Sequence, residues 1–270
     1  GDAERGLGMP ALGWLVEGEG AAAQLFSRDQ LRRMAGALAR ERDRHGTQVF
    51  ALSAVKPGAG TTGLALRLAR TLDELGFPTL VVEANAFSPD ARFAGARPGL
   101  MQCLRGEAAA QECIEPAAGE LPARVRAGDE AGAANLGRID RLRELLDTWR
   151  ATYAFVLVDA PPLLLAADAE IVLDRIGHAL LVVEAGATTR GELARAGRVL
   201  EASAAQAAGL VVNRVRVLEG GGYLRSLLVE FLMHRKYADF ASLPAWRLQL
   251  AGWLHRARTL RRPATKGASA

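Results

Sequence analysis

Gln48-Val49-Phe50-Ala51-Leu52-Ser53-Ala54-Val55 runs directly into Lys56-Pro57-Gly58-Ala59-Gly60-Thr61-Thr62, and Leu64, Leu68, Leu72 and Leu75 follow at helical spacing. The apolar run reads as a buried strand, the next segment as a Gly-rich turn, and the leucines as one face of a helix. A turn placed this way suits phosphate. Glycines let backbone N–H groups converge on the oxygens, a helix N-terminus lies behind them, and a hydroxyl holds Mg²⁺. Gly58, Gly60 and Thr62 take those places, with Ala59 and Thr61 completing the cradle. The usual pattern has Lys just before the hydroxyl residue. Here Thr61 offers a dipole where a full charge normally meets the β- and γ-phosphates. Lys56, one of three lysines in the chain, is either a solvated turn residue or a replacement cation. For the whole segment the alternative is a strand–turn–helix with no ligand.

Outward from this turn the chain alternates. Thr79–Glu83, Ala154–Asp159, Ala179–Glu184 and Ala208–Asn213 read as buried strands, and Arg138–Arg150 and Arg190–Ala205 as helices between them. Near-continuous apolar strands alternating with helices predict an α/β fold of three layers, a mostly parallel central sheet flanked by helices. Upstream, Arg28–His45 reads as a helix with Leu31, Met34 and Leu38 on one face, and residues 1–20 are Gly-rich apart from Met9–Leu15. Ala117–Leu136 reads as a loop with one short strand at most. The domains expected are an N-terminal linker and helix over 1–45, the phosphate-loop domain over 46–218, and a basic helical tail over 219–270.

Composition bounds the function classes. The chain has 270 residues, 50% apolar and 24% charged, which fits a globular domain and excludes intrinsic disorder, collagen-like repeats and a disulfide scaffold. Cys103 and Cys113 lack metal or C-x-x-C spacing and read as reduced thiols. Charges interrupt every apolar run well before ~18 residues, so no membrane-spanning helix is expected. No signal peptide opens the chain, and Gly at position 1 suggests a processed or trimmed start. The net charge of +4 is uneven: from Glu219 onward nine Lys/Arg face three Asp/Glu, a net of +6 that leaves −2 for residues 1–218. The main domain therefore lacks the basic footprint of a nucleic-acid binder. In the tail, Trp246, Leu250, Trp253, Ala257 and Leu260 form one apolar stripe among arginines. That pattern suits an anionic membrane surface, a partner's helix or the domain itself.

Residues 46–216 resemble the cytoplasmic catalytic domain of the bacterial tyrosine kinases of capsule and exopolysaccharide export, relatives of the septum-placement and partition ATPases. Besides the Gly-rich turn, Leu80–Asn85 followed by Ser88-Pro89 resembles the second acidic motif. Pro98-Gly99-Leu100 with Leu104–Glu107 resembles the family's Pro-Gly-Leu…Leu-x-Gly segment, and Phe155–Pro162 with Asp168 resembles its Walker B strand. Thr188-Thr189-Arg190 and Val212-Asn213-Arg214 match late motifs, and Pro10–Gly13 resembles a run that follows a membrane helix in fused members.

The resemblance implies ATP or ADP held by Lys56, Gly58, Ala59, Gly60, Thr61, Thr62, Asn213 and Arg214, with Asn213 on the adenine and Mg²⁺ on Thr62 and Asp159. The departures concentrate on catalysis: Thr61 for Lys, and Glu83 and Asn85 for two aspartates. The amide of Asn85 cannot accept a proton. The C-terminal tyrosine cluster is missing, leaving Tyr223 and Tyr237, and the oligomerisation pattern survives only as Asp29, Arg32 and Ala35. The reading is a catalytically degenerate regulator or scaffold at the cytoplasmic face of the plasma membrane. It would engage the cytoplasmic end of a polysaccharide co-polymerase and could form a homo-oligomer, with no nucleic-acid partner. Two alternatives stand beside it: an ATPase switch using Lys56 with a membrane-binding tail, and an active tyrosine kinase with Tyr223 or Tyr237 as acceptor.

Overall fold

The computed structural model describes residues 9, 11–18, 21–86, 88–128 and 139–215. The tail helices, Tyr223, Tyr237 and the domain boundary expected after Leu218 lie outside the described residues. Seven strands form one sheet: β1 (Ala11–Val16), β2 (Val49–Ala54), β3 (Thr79–Glu83), β4 (Ala123–Val125), β5 (Phe155–Asp159), β6 (His178–Glu184) and β7 (Gln206–Val215). Their order is β1-β7-β6-β2-β5-β3-β4, and the pairings from β7 across to β4 are all parallel. The helices are α1 (Ala21–His45), α2 (Thr61–Glu74), α3 (Leu100–Arg105), α4 (Ile139–Arg150), α5 (Ala167–Ile176) and α6 (Arg190–Ala202).

Each strand from β2 to β6 alternates two apolar faces, and each face is covered. Leu31, Met34 and Leu38 of α1 and Leu64, Leu68 and Leu72 of α2 pack with Phe50, Leu52, Val81, Leu157, Leu180 and Val182 on one side. On the other side α3 and α4 pack on Leu80, Val82, Val156 and Val158, while α5 and α6 pack on Ala51, Leu181, Val183 and Leu210. This is the three-layer arrangement the alternating sequence predicts. Fully burying a leucine contributes roughly 1.5–3 kcal/mol, so the three inward leucines fix α2 firmly behind the Gly-rich turn.

Residues 11–15 and 27–215 form one compact unit that includes most of α1, and two expectations change. The described part of the second unit within residues 16–26 holds the last residue of β1, residues 17–18 and the first turns of α1. Strand β1 was not expected, because Gly13 breaks its apolar pattern. Met34 explains that glycine, since its side chain would lie 3.1 Å from a Cβ there. Lastly, Cys103 and Cys113 are bonded as a disulfide rather than being free thiols. Cys103 of α3 and Cys113 in the turns after it both enter the buried cluster around Trp149, whose Nε1–H donates to the Ala110 carbonyl at 3.0 Å. A ten-residue spacing carries no local pairing signal, and the packing of the two segments supplies it.

Candidate functional site: a phosphate-type loop beside two strand-end carboxylates

The site is built on the C-terminal ends of β2, β3 and β5. Strand β2 passes through residues 55–60 into α2, and both Gly58 (φ 87°) and Gly60 (φ 81°) are left-handed. Gly60 is required twice over: besides its φ, a Cβ there would stand 2.6 Å from Asn213 Nδ2. Asn213 Nδ2 donates to the Ala59 carbonyl at 2.7 Å, so β7 latches the loop from the side. Arg214 is the one non-glycine residue with positive φ among the described residues (φ 54°), and its Nη1 lies 3.4 Å from Glu184 Oε1. Ser53 anchors the strand below by donating to the Pro161 carbonyl at 2.7 Å.

Asp159 ends β5 and is buried. Burial of its charge pushes its pKa up to about 7, against a lowering hydrogen bond from the Thr62 side chain. Glu83 and Asp90 raise it further, and Arg92 lowers it. The two residues proposed for Mg²⁺ are thus hydrogen-bonded to each other. An all-oxygen pair suits Mg²⁺, which takes most of its shell from phosphate and water. The buried Oδ1 of Asn85 lacks a hydrogen-bond partner and adds a further oxygen at the end of β3. These residues fit a Mg–nucleotide. Among the described residues no cluster of three or more His, Cys, Asp or Glu could hold a metal without it.

Glu83 is the register partner of Asp159 across β3 and β5. Its Oε1 accepts the Asp90 N–H at 2.6 Å and its Oε2 the Ala127 N–H at 2.9 Å, so one carboxylate ties two loops to the strand end. Burial raises its pKa and these donors lower it. Lys56 turns away from the loop: its Nζ donates to the Ala187 carbonyl and lies 3.4 Å from Glu192 Oε1. Glu192 is fixed in turn by Thr189, which caps α6. Thr189 of the Thr188-Thr189-Arg190 motif therefore positions the carboxylate that receives Lys56. The Pro98-Gly99-Leu100 motif is a close approach of backbones, where a Cβ on Gly99 would strike Gly128.

The structure brings Gly58, Ala59, Gly60, Thr61, Thr62, Asn213 and Asp159 around one loop and places Glu83 and Asn85 beside it. Sequence reasoning missed Asp90 and Arg92. Arg92 grips Asp90 through Nε (2.8 Å) and Nη2 (2.7 Å), and its Nη1 is the nearest atom, at 3.3 Å, to where a Gly63 Cβ would stand. No spacing rule marks it, because a loop between β3 and α3 carries it to the first turn of α2.

Fold and loop together define an α/β protein of the P-loop class, with a nucleotide-type cradle at the strand ends. No family model matches the chain. It is 26% identical over 202 residues to EpsB of Ralstonia nicotianae, which carries the name tyrosine-protein kinase. That match covers 68% of this chain and 25% of EpsB, so the chain spans about a quarter of that relative's length. It is 24% identical over 173 residues to the tyrosine-protein kinase CpsD of Streptococcus agalactiae, covering 62% of this chain and 75% of CpsD. The kinase domain of the Escherichia coli tyrosine kinase ETK superposes with a TM-score of 0.73 at 19% identity, covering 83% of this chain and 96% of that one. In sequence and fold the chain is similar to bacterial tyrosine kinases and their kinase domains. No helix among the described residues is long and apolar enough to cross a membrane.

Proposed function

We propose that this chain is a nucleotide-binding but catalytically degenerate relative of the bacterial tyrosine kinases, acting as a regulator of an exopolysaccharide or capsule assembly machinery. Its partner on this reading is the cytoplasmic end of a membrane-embedded chain-length-determining protein, at the inner face of the plasma membrane. The similarity to proteins named tyrosine-protein kinase supports the setting. The observation that carries the loss of catalysis is the occupation of Glu83. The one carboxylate left in the second acidic motif has both oxygens committed to backbone N–H groups, and Asn85 cannot take a proton from an attacking hydroxyl. Thr61 removes the loop's cation as well.

Lys56 as a cis replacement finds little support, since it is engaged at α6. Incubation of the purified protein with Mg-ATP, followed by mass spectrometry of Tyr153, Tyr223 and Tyr237, tests the proposal. No phosphotyrosine is expected, while calorimetric titration detects Mg-ATP and Mg-ADP. Ready tyrosine phosphorylation sinks the degenerate reading, and phosphorylation gained only with Thr61→Lys and Asn85→Asp together strengthens it.

A further inference from the structure

A loop that folds backbone N–H groups around a polyanion without a cation leaves most of the charge unmet. Lys56, Arg214 and Arg92 lie beside this loop. Lys56 is held by the Ala187 carbonyl and Glu192, and Arg214 lies against Glu184. Arg92 differs in where its open edge faces. Asp90 takes Nε and Nη2, while Nη1 stands over Gly63 in the first turn of α2, next to the two threonines that begin the helix. The fork is built in place. Glu83 Oε1 holds the Asp90 N–H at 2.6 Å, and Asp90 Oδ1 accepts both the Arg92 N–H (2.9 Å) and Nε–H. Asp90, and more weakly Asp159, hold the guanidinium above the ordinary arginine range, which places it within electrostatic reach of the buried carboxylate as well.

We infer that Arg92 supplies the positive charge missing at Thr61, its free Nη edge binding the terminal phosphate oxygens of a nucleoside di- or triphosphate seated in the loop. The inference rests on the nucleotide-binding reading above and deepens it. Glu83, lengthened by one methylene relative to aspartate, acts as a positioning residue: it reaches the Asp90 N–H and so fixes the loop that aims Arg92. A planar guanidinium with one edge gripped and one edge open suits a phosphate oxygen pair better than an ammonium at the same place.

The test is calorimetric titration of the full chain with Mg-ATP, Mg-ADP and adenosine, in wild type, Arg92→Ala, Arg92→Lys and the remote surface control Arg141→Ala. The side chain of Arg92 is 46% exposed, so the variants should fold, and matching thermal midpoints verify it. Arg92→Ala should weaken both nucleotides by about 10- to 100-fold, the span of a charge-assisted hydrogen bond, and leave adenosine unchanged. Arg92→Lys should recover part of the loss, and Arg141→Ala should bind as wild type. Wild-type binding with an unaltered Arg92→Ala affinity overturns the inference and spares the nucleotide-binding reading. Tighter binding by Arg92→Ala also overturns it, since Arg92 would then obstruct the site. No binding by wild type overturns both.

Discussion

Glu83 and Asp159 end adjacent parallel strands in the same register, and both are about 2% exposed, yet the protein treats them differently. Glu83 receives a backbone N–H on each oxygen. Asp159 receives the Thr62 hydroxyl and pays a desolvation cost that takes its pKa to about 7. Burial raises the pKa of both carboxylates, but two backbone donors make Glu83 a structural brace, while Asp159 keeps more of its charge unmet, of the kind a cation stabilises. Equal burial thus gives opposite roles, and the number of donors each loop delivers decides between them.

The largest effect should come from removing the brace. Glu83→Ala leaves the buried Ala127 N–H and the half-buried Asp90 N–H without acceptors, so a loss on the order of 1–4 kcal/mol is expected in denaturant unfolding. Glu83→Gln keeps one acceptor and turns its amide toward the other N–H, so it should fall between. An unchanged midpoint in Glu83→Ala would break the comparison at once, because Glu83 would then be as free as Asp159.

The contrast also separates what was legible in the sequence from what was not. Thr79–Glu83 was readable to the residue, because a strand buried on both faces must be apolar at every position until its end. Helix α2 and its turn were readable from four leucines and two glycines. The extra turns at the start of α1, Ala21 to Ser27, carry no cap or periodic apolar face and were missed. Strand β4 is the one short strand allowed within Ala117–Leu136, but with three residues, one of them the buried Arg124, neither length nor pattern fixed its bounds. At the site, the turn from Gly58 to Thr62 was legible because its spacing is local, whereas the bond from Asn213 to the Ala59 carbonyl spans 154 residues and was not. Nor was the fate of Glu83, since its partners arrive from residues 90 and 127. Lys56 was open in the sequence for the same reason: Glu192 lies 136 residues away.

The second way to sharpen the comparison is pH. Asp159 is raised above the value of an unfolded aspartate, so the fold prefers its neutral form. Its contribution to stability is full below about pH 4 and is lost as pH rises through about 7. Asp159→Asn should therefore remove a downward slope in the stability of the unliganded protein across that window. By pH 8 the variant should exceed wild type, by something on the order of a few kcal/mol. The same ionisation should make Mg-nucleotide affinity rise from pH 6 to 8 in wild type alone. Parallel stability–pH curves for the two proteins would mean that Asp159 is as well compensated as Glu83. A smaller effect follows from Thr62→Val. Losing the hydroxyl raises Asp159 further, which shifts the midpoint of that pH dependence upward and weakens Mg-nucleotide binding at pH 7.

The smallest effect should be that of Lys56→Ala, and it tests whether charge at this loop comes from Lys56 at all. Lys56 and Glu192 are each about one-third exposed, and a solvent-screened pair of that kind contributes little. Glu192 also keeps its place without the lysine, because it accepts the Thr189 N–H at 2.7 Å and the Thr189 hydroxyl at 3.0 Å. Capping of α6 therefore survives, and nucleotide affinity measured by calorimetry should stay within about threefold of wild type, the scale of a screened surface charge. A loss of tenfold or more would show that nucleotide draws Lys56 out of its contacts at α6. Repeating the titration across protein concentrations then locates that cation: a deficit independent of concentration places Lys56 on the phosphates of its own loop. A deficit that shrinks on dilution, as wild type loses its second copy, places it on those of a partner copy, which would move the ATPase-switch reading ahead of the degenerate kinase.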